Sequence, residues 1–257
     1  MNRYFYFILL LCFGTSTLAQ SFSNKGTDFW VGYGYHVRMA NDNGGGQPLN
    51  SQDMKLYFAV DQPDTHITIS IPGIGWSQNI TPPTTIPSVV TSQVMPKNNP
   101  QDARLQTEGV LNKGIHITSD KPIVAYAHVY NGNASGATIL FPTQTLGKTY
   151  YAINYTNESN EDNSHSYFYV VATDTGTTSV RITPSKPLLT HSAGVPFTVN
   201  LTQGQVFNGL GALTGSVGNV YSAVDLTGTK IESVASGTGV CKRIAVFSGS
   251  GKINISC

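Results

Sequence analysis

The sequence has little charge. Only 11% of its 257 residues are Asp, Glu, Lys or Arg, whereas typical domains have about 25%. The formal net charge is +1 at pH 7, so no long-range attraction to nucleic acid or to an anionic membrane surface is expected. The surface must consist mainly of Ser, Thr, Asn, Gln and Gly. Such a surface suits an exported β protein better than one built on long amphipathic helices.

Long apolar segments are also scarce. The run over residues 4–13 follows a positively charged start and is too short to span a bilayer, which is typical of the core of a signal peptide. The small residues Thr17 and Ala19 stand at the −3 and −1 positions of a cleavage site. We therefore predict a signal peptide over residues 1–19, cleaved between Ala19 and Gln20. The mature chain is expected to be secreted or displayed at the cell surface, without membrane insertion.

Cysteine is rare, with three residues in the chain. Cys12 lies in the apolar run and could carry a lipid, but bulky Leu11 precedes it, so signal cleavage is favoured. An exported chain allows a disulfide between Cys241 and Cys257, worth about 3 kcal/mol in the chain-entropy model. A hairpin through residues 244–255 would place Cys257 one position away from Cys241. Either a bulge corrects the register, or Cys257 bonds to a cysteine beyond this chain.

Sustained helical periodicity is missing as well, and short strands with frequent turn residues predict an all-β fold. Residues 114–132 form the clearest unit. An alternating strand is followed by a turn at 119–122, an apolar run over 123–130 and an Asn-Gly turn, which predicts a hairpin. The same plan returns near the C-terminus, where residues 248–251 are predicted to form a hairpin tip.

Other segments repeat in the same order and at nearly the same offset: residues 26–30 match 147–151, and residues 65–71 match 178–183. Ordered matches at one offset indicate two copies of one unit, although chance similarity between short β-rich segments is the alternative. We predict two tandem β-sandwich, jelly-roll-like units related by internal duplication. Their expected bounds are residues 20–141 and 142–257.

Signals for catalysis are weak. The sequence has neither a G-x-S-x-G elbow nor an H-E-x-x-H motif. Residues 209–215 resemble a dinucleotide loop but contain one residue too many and lack the flanking strand and helix, so a glycine-rich loop over residues 209–218 is favoured. We assign no catalytic residue and no cofactor.

Two clusters are weak candidates for ligand contact. One strand face could stack on a sugar or hold a partner, with amphipathic packing between sheets as the alternative; it consists of Tyr126, His128 and Tyr130. A polar loop offers carboxylate oxygens of the kind that calcium binds, although its spacing fits no EF-hand and a solvated loop is favoured. Its acidic residues are Glu158, Glu161 and Asp162, so no metal site is assigned.

Several motifs, in order, resemble the IgGFc-binding protein N-terminal domain family, and they span nearly all of the mature chain: residues 26–30, 119–123, 171–178, 225–231 and 245–249. The resemblance implies an extracellular binding domain without known catalysis. The family includes the head of a mammalian mucus protein that binds the Fc part of immunoglobulin G, and many bacterial surface proteins of adhesion type. Lys242-Arg243-Ile244 departs from the commoner Lys-Pro-Ile. Because family members run on past the position of Cys257, we expect this chain to be the front of a longer protein.

The sequence therefore predicts a secreted or cell-surface adhesion module that recognises a protein, glycoprotein or glycan. One alternative is a carbohydrate-active or peptide-cleaving enzyme with its site between the two repeats. That enzyme would need two carboxylates brought close together, and the available acids are Glu108, Asp120, Glu161 and Asp225. A structural stalk is the other alternative, and it predicts a surface without a concave or aromatic patch.

Overall fold

The computed structural model describes residues 23–39, 49–82, 85–91, 94–235 and 239–254. These residues form an all-β fold, as predicted, in which the helical segments are single 3-10 turns at Val37–Met39, Pro72–Ile74 and Thr143–Thr145. The strands are β1 (Lys25–Val31), β2 (Asp53–Val60), β3 (Ile67–Ile71), β4 (Trp76–Ile80), β5 (Ser88–Thr91), β6 (Lys97–Asn98), β7 (Gln101–Asp102), β8 (Gly109–Leu111), β9 (Ile115–Tyr130), β10 (Ser135–Ile139), β11 (Thr149–Tyr151), β12 (Asn157–Ser159), β13 (Ser166–Ala172), β14 (Thr177–Thr183), β15 (Phe197–Thr202), β16 (Val206–Leu210), β17 (Leu213–Val217), β18 (Val220–Ala223), β19 (Lys230–Val234) and β20 (Ile244–Ser250).

The N-terminal half is built around β9. Its sheet has the order β4-β3-β9-β2-β5, and β1 and β10 also pair with β9. β2 alternates buried and half-buried residues, as expected of a strand with one face on a core. The inward side chains from both ends of β9 join one apolar cluster, which includes Phe29, Phe58, Ile69, Ile117 and Ile123.

The predicted turn at residues 119–122 is wrong, because β9 is one continuous strand of 16 residues. Its first part pairs with β1 and β3, and its second part pairs with β2 and β10. The β1 register jumps between Gly26 and Asp28 and passes over residues 119–122. Pro122 has no N–H, so it fits where β1 takes no ladder bond. The Asn-Gly turn is confirmed, since Asn131 N–H donates to the carbonyl of Ala134.

The C-terminal half contributes two larger sheets, of order β20-β13-β16-β8 and β11-β19-β14-β15. A second apolar cluster contains buried residues from both sheets, among them Phe168, Val170, Ile182, Ile231 and Ile244. Strands β12, β18 and β17 form a smaller sheet, and β6 pairs with β7.

The pairing scheme of the N-terminal half recurs in the C-terminal half. β3 lies between β4 and the first part of β9, and β14 lies between β15 and β19. β1 and β11 pair with the other side of β9 and of β19. β2 lies between β5 and the second part of β9, and β13 lies between β16 and β20. The scheme departs at β10, which flanks β9 and has no counterpart beside β20 in the described residues.

Two further sequence predictions are wrong. Residues 248–250 belong to β20 and pair with β13, so they are not a hairpin tip. The predicted loop over residues 209–218 instead contains the end of β16 and all of β17. In both segments, glycines that suggested turns are part of strands because neighbouring strands supply the hydrogen bonds. The proline-rich part of the chain, residues 74–100, contains β4 and β5, which are the two ends of their sheet.

The two halves are in direct contact. β8, from the N-terminal half, pairs with β16. A third apolar cluster lies at the junction and includes Trp30, Leu105, Tyr169 and Val206. The two halves are therefore joined by a pair of hydrogen-bonded strands and by an apolar cluster.

Some predictions fall outside the described residues. These concern the signal peptide over residues 1–19, its cleavage between Ala19 and Gln20, and both Cys12 and Cys257. Cys241 is half-buried, and its disulfide with Cys257 stays a prediction. Within the described ranges, no helical segment has the length and apolar composition needed to cross a bilayer.

Candidate binding groove

A groove of about 790 Å³ lies between the two halves. One side is lined by the β9–β10 hairpin, with residues 133–138, and the other by β20 and the residues after it, 246–253. Ligand sites in proteins are typically clefts of about 300–1,000 Å³. Its volume and its position between two packed halves make this groove the leading candidate site.

Aromatic side chains line the buried part of the groove. The rings of Tyr167 and Tyr169 stack with centroids 6.2 Å apart, and Phe247 stacks on Tyr169 at 5.0 Å. Glycines permit this packing, because a Cβ on Gly32 would lie 2.9 Å from Tyr169, and one on Gly34 would lie 2.8 Å from the Tyr167 hydroxyl. The Tyr169 hydroxyl donates to the carbonyl of Gly32 at 3.1 Å. These contacts hold the rings in fixed positions before any ligand arrives.

The outer edge of β20 is open beyond Ile244, whose N–H donates to the carbonyl of Gly147. The carbonyl of Ser166 accepts from Gly211, and the N–H of Ala172 donates to Gln205, so even-numbered residues of β13 face β16. By the alternation of antiparallel ladders, β20 then bonds β13 through Ala245, Phe247 and Gly249. Its other residues point their N–H and C=O groups away from the sheet, and among the described residues none bonds the main chain of Val246, Ser248 or Ser250.

The outer edge of β10 has the same character. The N–H of Leu140 donates to Ala125, so Gly136 and Thr138 face β9. The main-chain groups of the remaining strand residues point outward, and these are Ser135, Ala137 and Ile139. Two uncovered strand edges therefore belong to the two sides of one groove.

The groove carries little charge. Among the described residues that line it, none is Asp or Glu, and the basic groups are His36 and Lys252. Lys252 Nζ lies 3.3 Å from the carboxylate of Glu161, which is buried and also pairs with buried Arg38. Burial lowers the pKa of His36 to about 4, so its imidazole is neutral at pH 7. The lining suits an uncharged ligand.

A smaller apolar cleft of about 350 Å³ adjoins β20. It is lined by Trp30, Phe141 and Tyr150, and it shares Val246 and Phe247 with the groove. The Trp30 indole N–H is buried, and within the described residues it has no hydrogen-bond partner. Trp30 stacks on His116 with centroids 4.0 Å apart.

The acids considered for an enzyme lie outside the groove lining. Three of them accept hydrogen bonds from main-chain N–H groups: Glu108 from Leu210, Asp120 from His66 and Asp225 from Thr227. Glu161 pairs with Arg38 and Lys252. Each carboxylate therefore supports local structure, and a two-carboxylate mechanism finds no acid in the groove among the described residues.

The predicted tyrosine-histidine face is present on the outer surface of β9. His128 and Tyr130 stack with centroids 4.7 Å apart, and Tyr126, with 39% of its surface exposed, lies beyond them. Lys55 Nζ lies 5.6 Å from the centre of the Tyr130 ring, and Tyr57 tilts towards His128 at 6.3 Å. This face is directed away from the core, so packing between sheets does not explain it.

The acidic loop is only partly solvated. Glu158 is exposed and Asp162 is half-buried, whereas Glu161 is 1% exposed. The described residues contain no group of three or more His, Cys, Asp or Glu placed to hold a metal ion. The pairing of Glu161 with Arg38 could not be predicted, because the two residues lie far apart along the chain.

Sequence reasoning missed the groove, because its lining residues come from six separate segments. A signal was present in the alternation of Gly32 and Gly34 with Tyr33 and Tyr35. Glycines that alternate with aromatic residues leave room for other aromatic rings to pack directly against the strand. The rings that approach, Tyr167 and Tyr169, could not be identified without the fold.

Fold and groove together define an all-β protein with a preformed cleft that carries little charge. The model of the family described as IgGFc binding protein matches residues 136–257. This match confirms the predicted resemblance over that part of the chain, which runs from β10 onward and includes one side of the groove. No curated protein and no solved structure matches the chain. The family description points to a binding module.

Proposed function

We propose that this protein is an extracellular binding module that holds its ligand in the groove between its halves. The observation that carries the proposal is a preformed cleft of about 790 Å³ with fixed aromatic rings. The match to an IgGFc binding protein family supports binding as the activity. The residues assigned to contact are Tyr35, Tyr155 and Phe247, which line the cleft, and we assign no catalytic role.

The ligand class that fits best is a protein or glycoprotein without charge at the contact. Ionised groups entering the groove would lose water and find no partner of opposite charge except Lys252, which already contacts Glu161. The Fc fragment of immunoglobulin G belongs in the test panel because the family description names it.

A variant that fills the groove tests this assignment. A Cβ on Gly136 would meet nothing within 4 Å, and its φ is not positive, so Gly136→Trp enters the groove without displacing the strand. We expect it to lower binding at least tenfold on an array of immobilised glycoproteins and Fc. The control is Val217→Trp, at a position 85% exposed and outside the groove lining. Equal binding by both variants and the wild type would refute the groove as the site.

We also propose a contact role for the outward aromatic face of Tyr126, His128 and Tyr130. Exposed aromatic rings stack on the apolar faces of sugars and peptides. Tyr126→Ala combined with Tyr130→Ala should weaken glycan retention on the array while leaving the groove ligand bound. Unchanged glycan retention would show that this face does not contact the glycan.

The repeated pairing scheme supports a proposal about architecture. We propose that each half is a β-sandwich and that the two arose by duplication, with a boundary between residues 141 and 142. The strongest support is that β1, β3, β2 and the two parts of β9 have partners matching those of β11, β14, β13, β19 and β20. In an experimental structure these strands should superpose; halves whose matched strands cross at different angles would count against a common origin.

Export and the disulfide remain proposals of the same kind. We propose that the chain is secreted or displayed after cleavage at Ala19. N-terminal sequencing of protein recovered outside the cell should then begin at Gln20. Peptide mapping without reductant should detect a disulfide between Cys241 and Cys257. A free thiol on Cys241 would show that the proposed bond does not form.

A further inference from the structure

The open edge of β20 has the features of a strand-docking site. Val246, Ser248 and Ser250 direct main-chain donors and acceptors outward, and this edge lines the groove. Exposed strand edges in stable proteins are usually protected by Pro, by charged residues or by a covering segment. β20, with the sequence IAVFSGS, contains no Pro and no charged residue.

The N-terminal half shows what covers the equivalent edge. There the second part of β9 has β2 on one side and β10 on the other. β20 has β13 on the matching side, and among the described residues its opposite edge has no strand. β10 has the sequence SGATI, which is uncharged and small. A small, uncharged segment of this kind would pair with the outer edge of β20 as β10 pairs with β9.

We propose that the groove binds an extended, uncharged segment of a partner protein, which adds as a strand to the outer edge of β20. This inference rests on the proposed function and specifies its mode of recognition. Main-chain hydrogen bonds to Val246, Ser248 and Ser250 supply affinity. A sugar offers no row of alternating donors and acceptors at the spacing of a strand, so a polypeptide is the occupant that fits the edge of β20.

The smaller cleft specifies one side chain of that segment. It adjoins the beginning of β20 and is lined by Trp30, Phe141 and Tyr150. An apolar or aromatic side chain there would cover the apolar lining. A residue with a side-chain acceptor would also satisfy the Trp30 indole N–H, which is buried and lacks a partner in the described residues.

The probe is a synthetic peptide with the sequence of residues 133–141, capped at both ends, and the readout is calorimetric binding to the full chain. Two further peptides carry N-methyl groups on alternate residues. In the first, the methyl groups block the N–H groups along one edge of the strand; in the second, they block those along the other edge. Only one edge of the peptide faces β20, so one methylated peptide should bind at least tenfold more weakly and the other should keep most of its affinity. Gly136→Trp should abolish binding of the parent peptide, whereas Val217→Trp should not.

The outcomes separate the two proposals. If neither methylated peptide loses affinity, or if no peptide binds, strand addition is wrong. The groove assignment survives that result as long as Gly136→Trp still blocks glycoprotein binding. The protein alone could also form dimers, and dilution would then dissociate them and expose the edge of β20. In that case a second copy of this chain occupies the edge, and the proposal of a partner protein is wrong.

Discussion

At the scale of single residues, the junction between the halves depends on a buried ion pair. Arg38 and Glu161 are each about 1% exposed at the side chain, and Lys252 also contacts Glu161. Removing one partner leaves a buried charge without its counter-charge, which costs about 3–5 kcal/mol. The pair therefore keeps residues that line the groove at the Tyr35 end in place.

Glu161→Gln should accordingly lower the free energy of unfolding by about 3–5 kcal/mol, measured by urea denaturation at pH 7. The matched control is Asp61→Asn, which breaks the exposed pair with Lys25 and should change stability by less than about 1 kcal/mol. Similar losses for both variants would show that burial of the Arg38–Glu161 pair has no special effect.

His36 predicts a dependence of stability on pH. Burial, with smaller contributions from Arg38 and Lys252, lowers its pKa from 6.5 to about 4. The folded state then binds fewer protons than the unfolded state between these values, so stability falls as the pH drops from about 6.5 to 4. The contribution of His36 reaches about 3 kcal/mol. Arg38 N–H also donates to Nδ1, which must stay unprotonated to accept it.

His36→Gln should flatten this part of the profile. Urea midpoints of the wild type and the variant, compared at pH 7 and pH 4.5, give the difference directly. His165, whose pKa burial also lowers, remains in both proteins and contributes to the residual slope, as do carboxylates with a lowered pKa such as Asp102. Profiles that fall in parallel would rule out a role for His36.

At the scale of elements, β9 shows where sequence reasoning succeeded and where it failed. The alternation of Ile115 and Ile117, the apolar run from Ile123 and the Asn-Gly turn were all readable. The turn at residues 119–122 was inferred from Asp and Pro, which favour turns locally. In the fold, β1 shifts register at this point and β3 still pairs with Ser119, so the strand continues.

Two proline substitutions test this interpretation of β9. Pro122→Ala should change the free energy of unfolding by less than about 1 kcal/mol, since the main chain there makes no ladder bond with β1. Ala125→Pro should cost about 3 kcal/mol or more, because residue 125 is buried in the middle of the strand, pairs with Phe58 of β2 and accepts a hydrogen bond from Leu140 just after β10. Urea denaturation measures both, and a large loss at Pro122 would restore the turn as a rigid structural element.

The sites divide in the same way. Tyr126, His128 and Tyr130 share a face because side chains alternate along a strand. Their spacing of two residues makes this face predictable from the sequence alone. The groove depends on β8 pairing with β16 and on rings that lie over Gly32 and Gly34. These contacts join segments far apart in the chain, and no local pattern encodes them.

At the scale of the whole molecule, the groove exists because the halves are held together along one side and apart along another. β8 and β16, the Trp30–Leu105–Tyr169 cluster and the Arg38–Glu161 pair lie on the joined side. β10 and β20 flank the open side with unpaired edges. Binding by strand addition needs both features, since the joined side fixes the geometry that a ligand segment must match.

Amide hydrogen exchange in the unliganded protein tests the open edge most directly. The amides of Ala245, Phe247 and Gly249 bond to β13 and should exchange slowly, whereas those of Val246, Ser248 and Ser250 should exchange at least a hundredfold faster. Slow exchange at all six amides would show that the edge is already covered and would contradict the proposed mode of binding.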